Sequence, residues 1–451
     1  MYPRLLKHFR VGIAFLVGFS TLAFCVHPVS AVAMPRLDPA FGIHGLSVRA
    51  GENLNPGASL AFTRSGDIVI VGSLRGVGEE FGCLGYYLAS FKSGGAIEHS
   101  FGTNGLVEGT KPCRTRSSLA IGRRGHITLG GSGGSSFPCS MVDRFRFDGF
   151  SAPGWGSGGM PQDRLYCYGP RHGQGGIVTR DVSIDSRGRV LIAADSLWGS
   201  ARTVGVIFRV KPNGDVDKRW RGSGLSATGV DGVVRVQRPS SELNGIVEVS
   251  SLRAGKVLAA TTSHGGFGAA QFLGSGIPDP SFGTKGHAWV DADSTSCSCS
   301  KVEGMARDHQ GRIILAGFTF RRHGGGIPSH HRLAITRFSA DGKLDRKFGV
   351  RGVARPIRNT FYTSGVAIQR DGKILVSGQM DDRFAVVRLL RNGQVDPGFF
   401  NHGVFKTRIS SLGGTATDVR VDSKGRIVAI GGVAASEPAE SSLAVVRILP
   451  R

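Results

Sequence analysis

The stretch Val366-Ala367-Ile368-Gln369-Arg370-Asp371-Gly372-Lys373-Ile374-Leu375-Val376-Ser377-Gly378 decides the fold. Asp371-Gly372 supplies the positive-φ positions of a tight hairpin turn, and the aliphatic and β-branched residues on either side pack on a pleated surface. The turn glycine recurs at Gly66, Gly125, Gly188, Gly255, Gly311, Gly372 and Gly425, about every 60 residues. A period of that length signals stacked copies of one supersecondary unit, not two or three unrelated domains.

A second signature runs in register with the first: an Asp, two residues, an aromatic, then a Gly four positions past the aromatic. Leu37-Asp38-Pro39-Ala40-Phe41-Gly42-Ile43-His44-Gly45 is one copy. The aromatic falls at Phe41, Phe101, Trp155, Trp220, Phe282, Phe348 and Phe399, and the later glycine at Gly45, Gly105, Gly159, Gly224, Gly286, Gly352 and Gly403. The Asp is kept at Asp38, Asp217, Asp279, Asp345 and Asp396, is Glu98 in the second copy and is missing from the third. A third strand follows the hairpin, as in Phe384 to Leu389, and a fourth follows the aromatic motif, as in Gly403-Val404-Phe405.

Four short strands per unit and seven units predict an all-β fold, a seven-bladed β-propeller of four-stranded antiparallel blades. With the strand before the turn glycine innermost, the repeats begin with an outer strand near Leu46-Ser47-Val48 and stop after a third strand, Leu443 to Leu449. These fragments make one blade, so the ring is expected to be closed by the N-terminal strand pairing with the last blade. That pairing satisfies edges an open array would expose.

On these motifs the chain resembles the delta-60 repeat family of bacterial proteins, over essentially all of residues 37–449. The most typical copies are Leu344-Asp345-Arg346-Lys347-Phe348-Gly349 with Val366 to Gly378, and Val395-Asp396-Pro397 with Asp422-Ser423-Lys424-Gly425-Arg426-Ile427. The third and fourth copies depart most, Trp155 and Trp220 replacing Phe. The resemblance implies a propeller of repeats and carries no catalytic residues to transfer.

Residues 1–33 read as a signal peptide: Arg4, Lys7 and Arg10 precede the apolar run Val11 to Val26, and Ala31-Val32-Ala33 is a small-residue cleavage site. Residues 34–451 are then a single propeller domain, exported to the periplasm or the extracellular space, with no transmembrane segment after cleavage. Net charge is +23, and removing residues 1–33, with three basic and no acidic side chains, leaves +20. That balance points to an anionic envelope polymer or protein as partner, although the arginines are spread through every repeat. Export and the lack of basic-aromatic strips argue against nucleic acid.

Beyond Cys25, six cysteines remain, an even count that reads as a disulfide framework in an exported protein. Cys83 and Cys139 lie in corresponding loops, and Cys113 and Cys167 each fall twelve residues after their repeat's aromatic, which pairs Cys83 with Cys113 and Cys139 with Cys167. Cys297-Ser298-Cys299 reads as a local bridge or two thiols. His323, His330 and His331 share one loop, with His172 and His264 in comparable loops, but no HExxH or paired CxxC gives a metal-ligand spacing.

An Arg recurs in the third strand at Arg144, Arg209, Arg337, Arg388 and Arg447; beside the repeated Asp it reads as an intra-blade ion pair, Arg337 with Asp345 and Arg388 with Asp396. The repeated aromatic reads as blade-to-blade packing. Asp67, Asp185, Asp371 and Asp422 are explained by turn chemistry. No nucleophile motif, phosphate loop or dinucleotide fingerprint appears, so no cofactor is expected.

Because the strong signals all serve the fold while the loops 73–86, 106–117, 132–141 and 318–332 diverge, the expected function is a non-catalytic binding or scaffold propeller of the cell envelope. The alternative is a propeller enzyme, a hydrolase or quinone-dependent dehydrogenase, with its site on the central axis. Its mark would be carboxylates, His or Arg converging from several blades.

Overall fold

The computed structural model describes residues 36–50, 54–75, 83–109, 118–133, 139–152, 155, 176–198, 202–223, 232–236, 244–263, 266–292, 300–321, 329–433 and 441–450. The strands run in chain order as β1 (Leu46–Ala50), then blade I with β2 (Ser59–Phe62), β3 (Ile68–Arg75), β4 (Cys83–Phe91) and β5 (Leu106–Gly109). Blade II holds β6 (Ser118–Ile121), β7 (Ile127–Gly133) and β8 (Cys139–Phe145); blade III holds β9 (Ile177–Ile184), β10 (Val190–Trp198), β11 (Arg202–Val210) and β12 (Val233–Val236). Blade IV holds β13 (Asn244–Ser251), β14 (Val257–Ser263), β15 (Gly266–Phe272) and β16 (His287–Asp291). Blade V holds β17 (Ser300–Arg307), β18 (Ile313–Arg321), β19 (Ser329–Phe338) and β20 (Val353–Ala354). Blade VI holds β21 (Tyr362–Ile368), β22 (Ile374–Met380), β23 (Arg383–Leu389) and β24 (Val404–Thr407); blade VII holds β25 (Thr415–Val421), β26 (Ile427–Val433) and β27 (Ser442–Ile448).

This is a seven-bladed β-propeller of antiparallel blades. In blades I to VI neighbouring strands are consecutive in sequence, because tight hairpins at glycines such as Gly372 (φ 82°) return the chain directly. The fourth strand of blade VII is β1, paired with β27 from Leu46 opposite Val446 to Ala50 opposite Ser442. Among the described residues no helix is long and apolar enough to cross a membrane.

The core sits between blades. Phe348 of blade V packs with Ile374, Val376 and Ala385 of blade VI; Phe399 packs with Val419 and Ile427 of blade VII. Phe41 packs with Leu60, Ile68 and Tyr87 of blade I, and Phe101, Trp155, Trp220 and Phe282 each reach into the following blade. All seven aromatics are buried. Burying such a ring is worth about 2–3 kcal/mol, so the repeated aromatic is the main apolar tie of each blade to the next.

The repeated arginine binds three things at once. Arg388 Nε donates to Asp396 Oδ2 at 2.8 Å, its guanidinium lies 4.4 Å over the Phe399 ring, and Nη1 donates to the Pro450 carbonyl at 3.1 Å. Arg209 repeats the pattern on Asp217, Trp220 and the Gly274 carbonyl, and Arg337 on Asp345, Phe348 and the Arg391 carbonyl. Arg144, whose copy lacks the Asp, keeps the Trp155 contact at 5.9 Å and the Pro212 carbonyl, and its Nη2 lies 3.3 Å from His126 Nδ1. The ring of arginines is therefore spent on the fold. The hairpin aspartates are likewise occupied: Asp422 accepts from the amides of Lys424 and Arg426 and from Arg426 Nε, and Asp185 does the same with Arg187 and Arg189.

Candidate functional site

The first strand of each blade lines the axis. In β13, β17, β21 and β25 the pairing with the next strand slips by one residue, at Ile246/Glu248, Val302/Gly304, Thr363/Gly365 and Ala416/Asp418, and β9 shows the same slip between Thr179 and Asp181. A bulge bends its strand and re-aims the side chains beside it. Here Asp181, Glu248 and Asp418 follow the bulge, and all three line one axial cavity of about 450 Å³. Ser59, Ser118, Gly304 and Gly365 hold the same position in the other four blades and line the same cavity.

Each acidic side chain ties its strand to the next blade. Asp181 Oδ2 accepts from the Val249 amide at 2.9 Å, Glu248 Oε2 from the Met305 amide at 2.6 Å, and Asp418 Oδ2 from the Leu60 amide at 3.1 Å. Asp181 Oδ1 also accepts from Ser118 Oγ at 2.6 Å. Asp418 further accepts from the Val419 amide at 2.8 Å and from Arg420 Nε at 3.3 Å. Towards blades III to V, Asp195 accepts from the Ile246 amide and from Arg180 Nε at 2.7 Å, and Lys301 pairs with Glu303 at 2.7 Å. The amide ties explain why acidic groups are tolerated so deep in the ring.

Those ties do not satisfy the charges equally. Burial, with the Asp181 and Asp418 carboxylates adding to it, outweighs Arg420 and the Met305 amide and pushes the Glu248 carboxyl up to about 8. Burial also raises Asp181 and Asp195 against their hydrogen-bond donors. Arg420 is held more firmly protonated, chiefly by Asp418 and then by Glu248 and Asp181. The axis thus presents a carboxylic acid, Glu248, that keeps its proton at neutral pH, in one cavity with Asp418, whose side chain accepts from a guanidinium. A carboxyl that holds its proton at neutral pH is suited to serve as a proton donor.

Sequence reasoning singled out none of these residues, yet a signal existed. Asp181, Glu248 and Asp418 each stand seven residues before a turn glycine, in a column with Ser59, Ser118, Gly304 and Gly365. The residues that were singled out lie elsewhere. Cys83 and Cys139 open β4 and β8 with side chains outside the described residues, where Cys113, Cys167, Cys297 and Cys299 also fall. His172, His264 and His323 lie outside them too, as does the side chain of His330. His331 sits against Phe318, Phe320 and Tyr362. Among the described residues no group of three or more His, Cys, Asp or Glu is placed to hold a metal ion.

A family profile described as "Domain of unknown function (DUF5122) beta-propeller" matches residues 369–399. No curated protein matches the sequence. Among solved structures the chain is similar to the polysaccharide lyase Uly1, at 10% identity and a TM-score of 0.51 over 91% of this chain and 93% of that one. It is also similar to an ulvan lyase bound to a -[GlcA(1-4)Rha3S]- fragment, at 9% identity and a TM-score of 0.49 over 89% and 94%. A third is the Penicillium chrysogenum α-L-arabinanase complexed with arabinobiose, at 11% identity and a TM-score of 0.46 over 92% and 97%.

The expectation of a non-catalytic binding or scaffold propeller is corrected on two grounds. The fold is one that an enzyme, the polysaccharide lyase Uly1, shares. The axis also carries the mark set for the enzyme alternative, carboxylates and an arginine converging from several blades. The scaffold reading failed because every recurrent signal in the sequence belongs to the fold, and the site lies where the repeats differ.

Proposed function

We propose that this propeller is a hydrolase that cleaves glycosidic bonds in the axial cavity, with Glu248 as proton donor. The observation that carries the reading is the Glu248 carboxyl, pushed up to about 8, in a cavity shared with Asp181, Asp418 and Arg420. Met305 fixes one oxygen of Glu248, leaving the other to face a substrate. In the reaction the Glu248 proton passes to the glycosidic oxygen, the bond from that oxygen to the anomeric carbon breaks, and a water oxygen bonds to that carbon. Asp418 takes the proton the water loses on the one acceptor site of its carboxylate left open beyond the three donors it already accepts. Arg420 keeps Asp418 in place and offsets its charge. The architecture shared with a polysaccharide lyase supports a saccharide substrate at the level of the fold.

The reading extends to the chain's setting: a delta-60 repeat protein, exported after loss of residues 1–33 and stapled by Cys83–Cys113 and Cys139–Cys167. The test is incubation of the mature, oxidised protein with a panel of plant, algal and bacterial polysaccharides. Hydrolysis releases reducing ends without the ultraviolet absorbance of an unsaturated uronate, and Glu248→Gln is expected to lower the rate roughly 10³-fold. Unsaturated products, an unaffected Glu248→Gln variant, or a panel left uncut would each overturn it.

A further inference from the structure

His331 lies at the centre of an aromatic cluster that the proposed cleavage step does not use. Its ring centroid is 4.6 Å from Phe318, 5.7 Å from Phe320 and 4.6 Å from Tyr362, so residues from β18, β19 and β21 meet across the junction of blades V and VI. The ledge is fixed by the backbone: the Phe361 amide donates to the His331 carbonyl at 2.8 Å, and Thr363 Oγ1 to the Gly317 carbonyl at 3.0 Å. Phe320 lines the axial cavity itself, and Tyr362 stands two residues before Ser364, which also lines it. Yet Tyr362 is 46% exposed, a large ring left in the open beside the cavity mouth. Its chain neighbour Phe361, by contrast, is fully buried in the core.

We propose that Phe320, His331 and Tyr362 form a stacking subsite that binds one sugar ring of the substrate at the mouth of the axial cavity. This rests on the saccharide reading above. A pyranose or furanose ring presents one face of polarised C–H bonds, which suits the electron-rich face of an aromatic, while its hydroxyls stay in water or reach polar groups at the rim. Burial pushes the His331 imidazole down, so it meets the sugar neutral at pH 7. A rigid aromatic loses little conformational entropy on binding, so one exposed ring can hold the chain in register while the next sugar enters among Glu248, Asp418 and Arg420.

The probes are cellohexaose, chitohexaose and arabinohexaose, titrated by calorimetry and saturation-transfer NMR against the full mature chain carrying Glu248→Gln, which binds without cutting. At least one should bind, and adding Tyr362→Ala should weaken it about tenfold or more, whereas Tyr362→Trp should stay within about threefold. Because Tyr362 is exposed, the alanine variant should keep its melting temperature, which separates lost stacking from lost folding. Unchanged affinity on Tyr362→Ala, or no binding of any of the three, would overturn the subsite. The two readings fail separately. Cleavage that depends on Glu248 with a KM indifferent to Tyr362 would sink the ledge alone; binding that depends on Tyr362 without cleavage of any glycan would sink the hydrolase alone.

Discussion

Arg447 Nε donates to Asp38 Oδ2 at 2.8 Å, joining the last strand to the first repeat motif across 409 positions. The same guanidinium lies 4.3 Å over the Phe41 ring and donates to the Ser93 carbonyl of blade I. Both side chains are nearly buried, at 3% and 7% exposure, so removing one strands the other's charge. Arg426, whose Nη1 is 3.7 Å from Asp38, compensates only in part. Arg447→Met is therefore expected to cost about 2–3 kcal/mol, seen as a lower urea midpoint, and Asp38→Asn with Arg447→Met should regain part of that loss. An unchanged midpoint in the single variant would show that the contact contributes nothing.

The glycine that closes the aromatic motif should not tolerate a side chain. Gly352 has φ +95°, and a Cβ there would come within 2.7 Å of the Leu344 side chain. Gly352→Ala is expected to lose about 2–3 kcal/mol through backbone strain and that clash. Gly94→Ala, with nothing within 4 Å of the new methyl, is the control and should be neutral or slightly stabilising. Equal losses at the two positions would show that local strain is not the cause.

Glu248 should make the fold weaker in alkali. Its carboxyl is raised from the ordinary 4.5 of a free glutamate to about 8 in the folded protein, chiefly by burial. Below pH about 4.5 both folded and unfolded states hold the proton; between there and about 8 only the folded state does, so stability falls as pH rises through that window. Glu248→Gln, which can still accept the Met305 amide, removes this dependence. The variant is expected to match the parent near pH 4.5 and exceed it by on the order of 1–2 kcal/mol near pH 8–9, a figure kept small because the cavity admits water. Parallel melting-temperature profiles for the two proteins from pH 5 to 9 would refute this.

The same proton should shape the rate profile. If Glu248 donates to the leaving oxygen, kcat/KM falls about tenfold per pH unit above about 8, since only the protonated acid serves. A flat alkaline limb on a cleaved polysaccharide would remove Glu248 from that role.

Much of this molecule was legible before any coordinates. Asp371-Gly372 turns, aromatics such as Phe348 and Phe399, and the Arg388 to Asp396 pairing all act within one repeat or between neighbours, and seven copies reinforce each local reading. The axial site was not read in this way. Its marker, a carboxyl seven residues before the turn glycine, appears in three copies of seven and looks like variation within a repeat.

By itself, then, the amino-acid sequence determined the strands, the hairpins, the number of blades and the aromatic and arginine contacts that join them. These follow from side-chain alternation, turn chemistry and burial, which are short-range and repeat. Only the tertiary structure decided that Asp181, Glu248, Asp418 and Arg420 share one cavity. Their meeting depends on the bulges that re-aim the inner strands and on the closeness of those strands around a common axis. Burial in the ring and coupling through space act together, so Glu248 acquires its raised carboxyl first from desolvation and then from carboxyl groups 67 residues before it and 170 after it in the chain.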